Sequence, residues 1–187
     1  AIEEECARQC EVPLTARAIA TTSSLLGAGL DKDYNEWYLF HGTCMENCTS
    51  ICSKNFRVAL AGCGATWKEP GKNNGIPLYG YGLYFAEHIT KADEYSAPIP
   101  AENAILPEEA SCDFYTVLLC RVLGGRTNIV TTNEIQVEKL RTDVFDGPYH
   151  SVFGDRVSVL KKPYREVVVY DKDQCYPEFL LVYSRMF

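Results

Sequence analysis

Residues Phe114–Leu123 read FYTVLLCRVL, a run of aromatic, β-branched and aliphatic side chains closed by Gly124 and Gly125. Such side chains suit a pleated, half-buried surface, and this is the clearest strand in the chain. Toward the C-terminus, Arg165–Tyr170 and Glu178–Tyr183 read as two further strands, joined by a polar connection. Between them and the first run, residues 126–158 are mixed, with a turn at Asp146-Gly147-Pro148. Toward the N-terminus, Tyr81–Ala86 is strand-like and Ile89–Ser96 short and helical, while Pro98, Pro100 and Pro107 mark 98–113 as a connection. Trp37–Phe40 is a short buried strand closed by His41-Gly42, and Thr43 or Cys44 opens a helix to about Asn55. Residues 12–30 carry Ala and Leu at helical spacing and stop at Gly27 and Gly29. Short helices early and antiparallel-looking strands late predict an α+β fold.

The length of 187 residues suits one well-cored domain, and a hydrophobic fraction of 47% with 23% charged residues is ordinary for a globular protein. No apolar run approaches the roughly 18–20 residues of a membrane-spanning helix, so no membrane partner is expected. The net charge of −7 argues against nucleic acid, whose binding needs a basic surface to displace counterions. Ala1–Glu5 is acidic where a secretory or transit peptide would be basic, which predicts an intracellular protein, nuclear or cytoplasmic.

Nine cysteines, at 6, 10, 44, 48, 52, 63, 112, 120 and 175, include no Cys-x-x-Cys pair. That argues against a zinc ribbon or a thioredoxin-like site. Cys44, Cys48 and Cys52 fall on one helical face and read as small inward-facing core residues; a secreted, disulfide-bonded chain is the competing view. Other chemistry is missing too. There is no Walker loop, and Gly62-Cys-Gly64 and Gly80-Tyr-Gly82 lack the third glycine of a dinucleotide fingerprint. His41 and Glu166 have no Gly-x-Ser-x-Gly elbow beside them. A lone histidine closing a strand, a core tyrosine, or a glutamate paired with Arg165 or a lysine at an exposed edge would each be unremarkable.

Three ordered blocks change that weighing. Asn35–Thr43 (NEWYLFHGT), Tyr79–Ala86 (YGYGLYFA) followed by Lys91 and Tyr95, and Tyr164–Asp171 (YREVVVYD) followed by Gln174–Leu181 resemble the catalytic domain of poly(ADP-ribose) polymerases. The resemblance runs from about Asn35 to Tyr183, and Phe114–Arg121 and His150–Arg156 look closest to the tankyrase branch. It implies a catalytic domain over 35–187, and the helical reading of 12–30 makes 1–34 an N-terminal helical extension to it. It also implies the ADP-ribosyltransferase fold, with two small, mainly antiparallel sheets around an NAD cleft.

The implied reaction is transfer of ADP-ribose from NAD⁺ to protein acceptors, this chain among them, with release of nicotinamide. The zinc loop of the tankyrase branch has no counterpart, since between Tyr95 and Phe114 only Cys112 could ligate, so no metal is expected. His41, Tyr84 and Glu166 would be the catalytic triad. His41 would donate to the adenosine ribose, Gly42 would bond the nicotinamide carboxamide through its backbone, and Arg57 would lie near the adenine. Tyr95 would stack on the nicotinamide with Tyr84 on its other side, and Lys91 belongs to the same set. Glu166 would accept from the nicotinamide ribose 2′-OH and stabilise the cation formed as the glycosidic bond breaks. Such a triad permits single units or polymer. Two departures stand out: Ala92 replaces a serine that in many members bonds the nicotinamide amide, and the loop over 62–77, with Trp67, is long. A domain that holds NAD or ADP-ribose without turnover, and a secreted transferase toxin, are the alternative readings.

Overall fold

The computed structural model describes residues 29–60, 77–100, 112–132 and 134–185. The helix expected over 12–30, the donor loop with Trp67, and most of the 98–113 connection lie outside them. The strands are β1 (Glu36–Gly42), β2 (Leu83–Ala86), β3 (Phe114–Leu123), β4 (Thr127–Val130), β5 (Ser151–Gly154), β6 (Glu166–Val169) and β7 (Cys175–Ser184). The α-helices are α1 (Met45–Lys54), α2 (Ile89–Asp93), α3 (Val137–Phe145) and α4 (Arg156–Leu160).

The two expected sheets are one seven-stranded sheet in the order β4-β5-β6-β2-β1-β3-β7. All pairings are antiparallel except β4 with β5. The sheet narrows sharply in the middle, because β1 and β2 share a single in-register pair, Phe40 with Ala86. On either side the ladders are full: β1 pairs with β3 along its whole length, and β2 pairs with β6 from Leu83/Val169 to Ala86/Glu166. The 126–158 stretch resolves into β4, α3, β5 and α4, and β7 begins at Cys175, inside the expected connection. Gln174 explains that early start. Its side-chain amide donates to Leu123 O and His150 O, both at 3.1 Å, and anchors the chain before the strand begins.

Alternation along the strands gives the sheet two cores. On one face Trp37, Leu39, Leu83, Phe85, Leu118, Cys120, Val122, Val167 and Val169 pack together, joined by Cys48 of α1 and by Phe56. On the other, Val152, Val168, Tyr79 and Tyr170 pack against Leu140 of α3. Val167, Val168 and Val169 are fully buried in succession, which only a strand covered on both faces permits. Each such side chain contributes about 1.5–3 kcal/mol. Of the helical cysteines, Cys48 is buried, Cys44 half-buried and Cys52 exposed; the inward-facing reading holds for the first of them. Cys44, Cys48, Cys52, Cys112, Cys120 and Cys175 are all free thiols.

Helix α2 is seated on β1 through Gly42. A Cβ at Gly42 would lie 1.7 Å from the carbonyl oxygen of Ala92 and 2.5 Å from its carbon, backbone atoms that cannot swing aside. Close approach of α2 is therefore a physical reason for glycine here. Gly42→Ala is expected to cost about 1–3 kcal/mol, as overpacking does, measured by urea unfolding. Gly29→Ala, whose Cβ would meet nothing within 4 Å, is the matched control and should unfold as the wild type does.

Candidate active site

The narrow waist of the sheet places His41 between the two central strands, with Tyr84 on β2 and Glu166 on β6. Past Phe40 and Ala86 the central strands part, and a side chain spans them: His41 Nδ1 donates to Tyr84 O at 2.9 Å. A carbonyl only accepts, so Nδ1 carries the proton. The ring is wedged by Phe56, edge-on at 5.1 Å between centroids, and by Phe85 at 5.6 Å. Burial lowers its pKa, and the Tyr84 carbonyl only partly offsets this, so the imidazole is neutral at pH 7. Its Nε2 then holds a lone pair, with no hydrogen-bond partner among the described residues. A neutral ring with Nδ1 protonated presents an acceptor at this edge, whereas the resemblance implied that His41 donates to the adenosine ribose.

Tyr84 and Glu166 project from the opposite face. Tyr84 stands opposite Val168, and Glu166 opposite Ala86 on one side and Gly154 on the other, so the two are diagonal neighbours across β2 and β6. The Tyr84 hydroxyl is fully used, donating to Gly80 O at 2.8 Å and accepting from the Tyr79 amide at 2.9 Å. Burial pushes this phenol well above its usual range. What Tyr84 offers a ligand is thus its ring.

Glu166 is buried at 9% exposure on an interior strand, and the exposed-edge pairing with Arg165 does not occur. Arg165 instead grips Glu87 through Nε at 2.6 Å and through its NH2 nitrogen at 2.8 Å. The Glu166 carboxylate has cations on both sides, Lys91 Nζ at 3.9 Å from Oε1 and an Arg156 guanidinium nitrogen at 3.7 Å from Oε2. Both distances exceed a hydrogen bond. Burial raises the Glu166 pKa and Lys91 and Arg156 pull it down, leaving it above the ordinary carboxylate value.

Lys91 sits on α2, donates to Glu94 at 2.6 Å, and lies 5.1 Å from the Tyr95 ring centroid. Burial works against its charge, and Glu94, Tyr95 and Glu166 more than restore it. Tyr95 follows α2 directly, held by its amide on Ala92 O at 3.0 Å. Lys91, Tyr95 and Glu166 thus form one cluster, which Gly42 supports from beneath α2. Arg57 is exposed and makes no ion pair among the described residues. The sequence reading gave Arg156 no role, although the residue closes the family-like stretch His150–Arg156. The signal lay in Asp155-Arg156: Asp155 caps α4 by accepting from the Ser158 amide at 3.1 Å, which sets Arg156 at the helix start.

The family model for the poly(ADP-ribose) polymerase catalytic domain matches residues 23–148. The chain belongs to this family. Its fold is accordingly the ADP-ribosyltransferase fold, its family-level reaction is ADP-ribosyl transfer, and the family's substrate is NAD⁺. The matched range ends before β6, so it does not reach Glu166. Among curated proteins, the chain is similar to protein mono-ADP-ribosyltransferase PARP12 of Mus musculus, at 27% identity over 153 residues, which is 82% of this chain and 17% of that protein. The Homo sapiens protein of the same name is also 27% identical over 153 residues, covering 82% of this chain and 18% of its own length. The chain thus spans less than a fifth of these relatives. Among the described residues, no group of three or more His, Cys, Asp or Glu side chains could hold a metal ion.

The buried imidazole makes a pH prediction. A histidine whose folded pKa lies below its unfolded value contributes stability that is present above the unfolded pKa, near 6.5, and is lost as pH falls below it. The melting temperature should therefore drop between pH 7.5 and pH 5.5. His41→Gln should flatten that slope without abolishing it, because His150 is shifted in the same direction. An unchanged slope in His41→Gln would contradict the buried neutral state.

Proposed function

We propose that this domain transfers ADP-ribose from NAD⁺ to a protein side chain, with His41, Tyr84 and Glu166 as its working triad. The observation that carries the reading is the Glu166 carboxylate. It is buried, shares a face with Tyr84, is flanked by Lys91 and Arg156, and makes no direct hydrogen bond to either cation. A buried carboxylate left with receptive lone pairs suits a ligand hydroxyl, here the 2′-OH of the nicotinamide ribose. The His41 Nε2 lone pair accepts from a hydroxyl of the adenosine ribose. The nicotinamide lies between the Tyr84 and Tyr95 rings, where aromatic contact adds about 0.5–1.5 kcal/mol per pair beyond burial. Gly42 bonds the carboxamide through its backbone, Lys91 holds the Glu166 side of the site, and Arg57 stands toward the adenine.

In the reaction, the bond from ribose C1′ to the nicotinamide nitrogen breaks, and its electron pair leaves with neutral nicotinamide. Positive charge grows at C1′, and the Glu166 carboxylate stabilises it where water is excluded. The acceptor nucleophile bonds to C1′ and gives up its proton, so NAD⁺ and acceptor yield ADP-ribosyl-acceptor, nicotinamide and a proton. Both relatives are named mono-ADP-ribosyltransferases, while Glu166 supplies a carboxylate able to polarise a ribose hydroxyl for elongation.

Incubation with labelled NAD⁺ and gel separation tests the reading. Nicotinamide release with a labelled protein band is expected, a sharp band meaning single units and a smear meaning polymer. Glu166→Gln should lower the release rate by at least roughly a hundredfold, on the scale of losing one transition-state electrostatic contact. A wild-type domain that binds NAD⁺ but releases no nicotinamide would instead be a binding module, the reading that Ala92 favours. Ala92→Ser should tighten binding of a nicotinamide mimic by about 0.5–1.5 kcal/mol, the worth of one neutral hydrogen bond, measured by calorimetry. Unchanged affinity would remove Ala92 as the cause of any weakness.

A further inference from the structure

We propose that Arg156 is a positioning residue of the reaction: from the start of α4 it acts opposite Lys91 to hold the Glu166 carboxylate as an anion. The two cations take one oxygen each, Lys91 on Oε1 and Arg156 on Oε2, and they approach from different elements, α2 and α4. Their other commitments differ. Lys91 is shared with Glu94 and Tyr95. Arg156 has a buried Nε with no hydrogen-bond partner among the described residues, and its ion pair is with Glu166. A buried donor left unpaired is costly, so this guanidinium faces Glu166 without a hydrogen bond that satisfies its Nε.

The remaining groups around Glu166 do not replace it. Glu94, just past the end of α2, works in the opposite direction, raising the Glu166 pKa. Tyr84 of β2 and Tyr79 before it are phenols kept neutral by burial. Asp155 caps α4, and Arg165, next to Glu166 in the chain, is bound to Glu87. Removing Arg156 leaves a desolvated carboxylate with Lys91 as its nearby cation, itself shared with Glu94. Opposite charge at this range commonly lowers a carboxyl pKa by about one to three pH units.

The inference rests on Glu166 being the reacting carboxylate, and the test separates the two. Nicotinamide release from NAD⁺ is followed against pH for the wild type, Arg156→Gln and Arg156→Lys. The acid limb of Arg156→Gln should move up by about one pH unit or more, and Arg156→Lys should bring it most of the way back. A uniform loss of rate at every pH, with the limb unmoved, would make Arg156 merely structural and overturn the inference. ¹³C-carboxyl NMR of Glu166 in the wild type and Arg156→Gln reads the same titration without turnover. A wild-type chain releasing no nicotinamide would sink the transferase reading, while the NMR comparison would still decide the role of Arg156. Arg156→Leu takes the place of Arg156→Gln in both measurements if the latter melts below the assay temperature.

Discussion

Phe40 and Ala86 are the one in-register pair between β1 and β2, although each strand is fully laddered to its other neighbour. Had that pairing continued, backbone bonds would have zipped the two halves of the sheet together. Instead an imidazole crosses between the strands to the Tyr84 carbonyl, wedged by two phenylalanines. The bond fixes which nitrogen of His41 is protonated, and so which edge remains to meet a ligand. It also ties a side chain on one face of the sheet to a strand whose own side chain, Tyr84, works on the other. The core that takes in Phe56 and Cys48 of α1 draws side chains from both halves and holds them in that relation.

Glu87 and Glu166 make an instructive pair. Both carboxylates are buried, at 4% and 9% exposure, and Ala86, the neighbour of Glu87, stands opposite Glu166. Glu87 receives a two-pronged guanidinium grip at 2.6 and 2.8 Å, geometry that satisfies a buried charge. Glu166 has its cations at 3.7 and 3.9 Å, more than an ångström farther at both the nearer and the farther contact. Breaking a saturated buried pair typically costs about 3–5 kcal/mol, so the first is a fastening. The second is neutralised without being filled, which is the state a carboxylate must be in to receive another group.

Strands β1, β3 and β6 were legible because dense β-branched and aromatic runs leave few alternatives. The four-residue strands β4 and β5 were not, since TNIV and SVFG mix small or polar residues with apolar ones and α3 buries Leu140 alone. A two-sheet arrangement was expected where one continuous ladder exists, and no local pattern could reveal a waist one residue wide. The matching blocks brought Lys91, Tyr95 and Glu166 to one place, yet the alternation around Glu166 could not tell an interior strand from an edge. Arg156 was harder to see for a related reason: its role depends on the pairing of β5 with β6, which sets Gly154 opposite Glu166, and only the capping residue Asp155 beside it gives a signal. The glycine at 42 was expected for a ligand's sake, and the backbone of Ala92 supplies a second reason.

Strand β7 forms one border of the sheet and carries exposed Tyr176, Leu180 and Val182. A border strand of this length and polarity invites a foreign chain to add on and so begin aggregation. Two neighbouring residues interrupt that invitation. Pro177 has no amide proton to donate, and Glu178 is the extra residue of a bulge, since Leu119 faces Phe179 while Cys120 faces Pro177. The bulged glutamate turns back to accept from Tyr38 at 3.0 Å and Arg121 at 3.2 Å. The same irregularity that fastens β7 to β1 and β3 therefore also breaks the regular edge that an added strand would pair with.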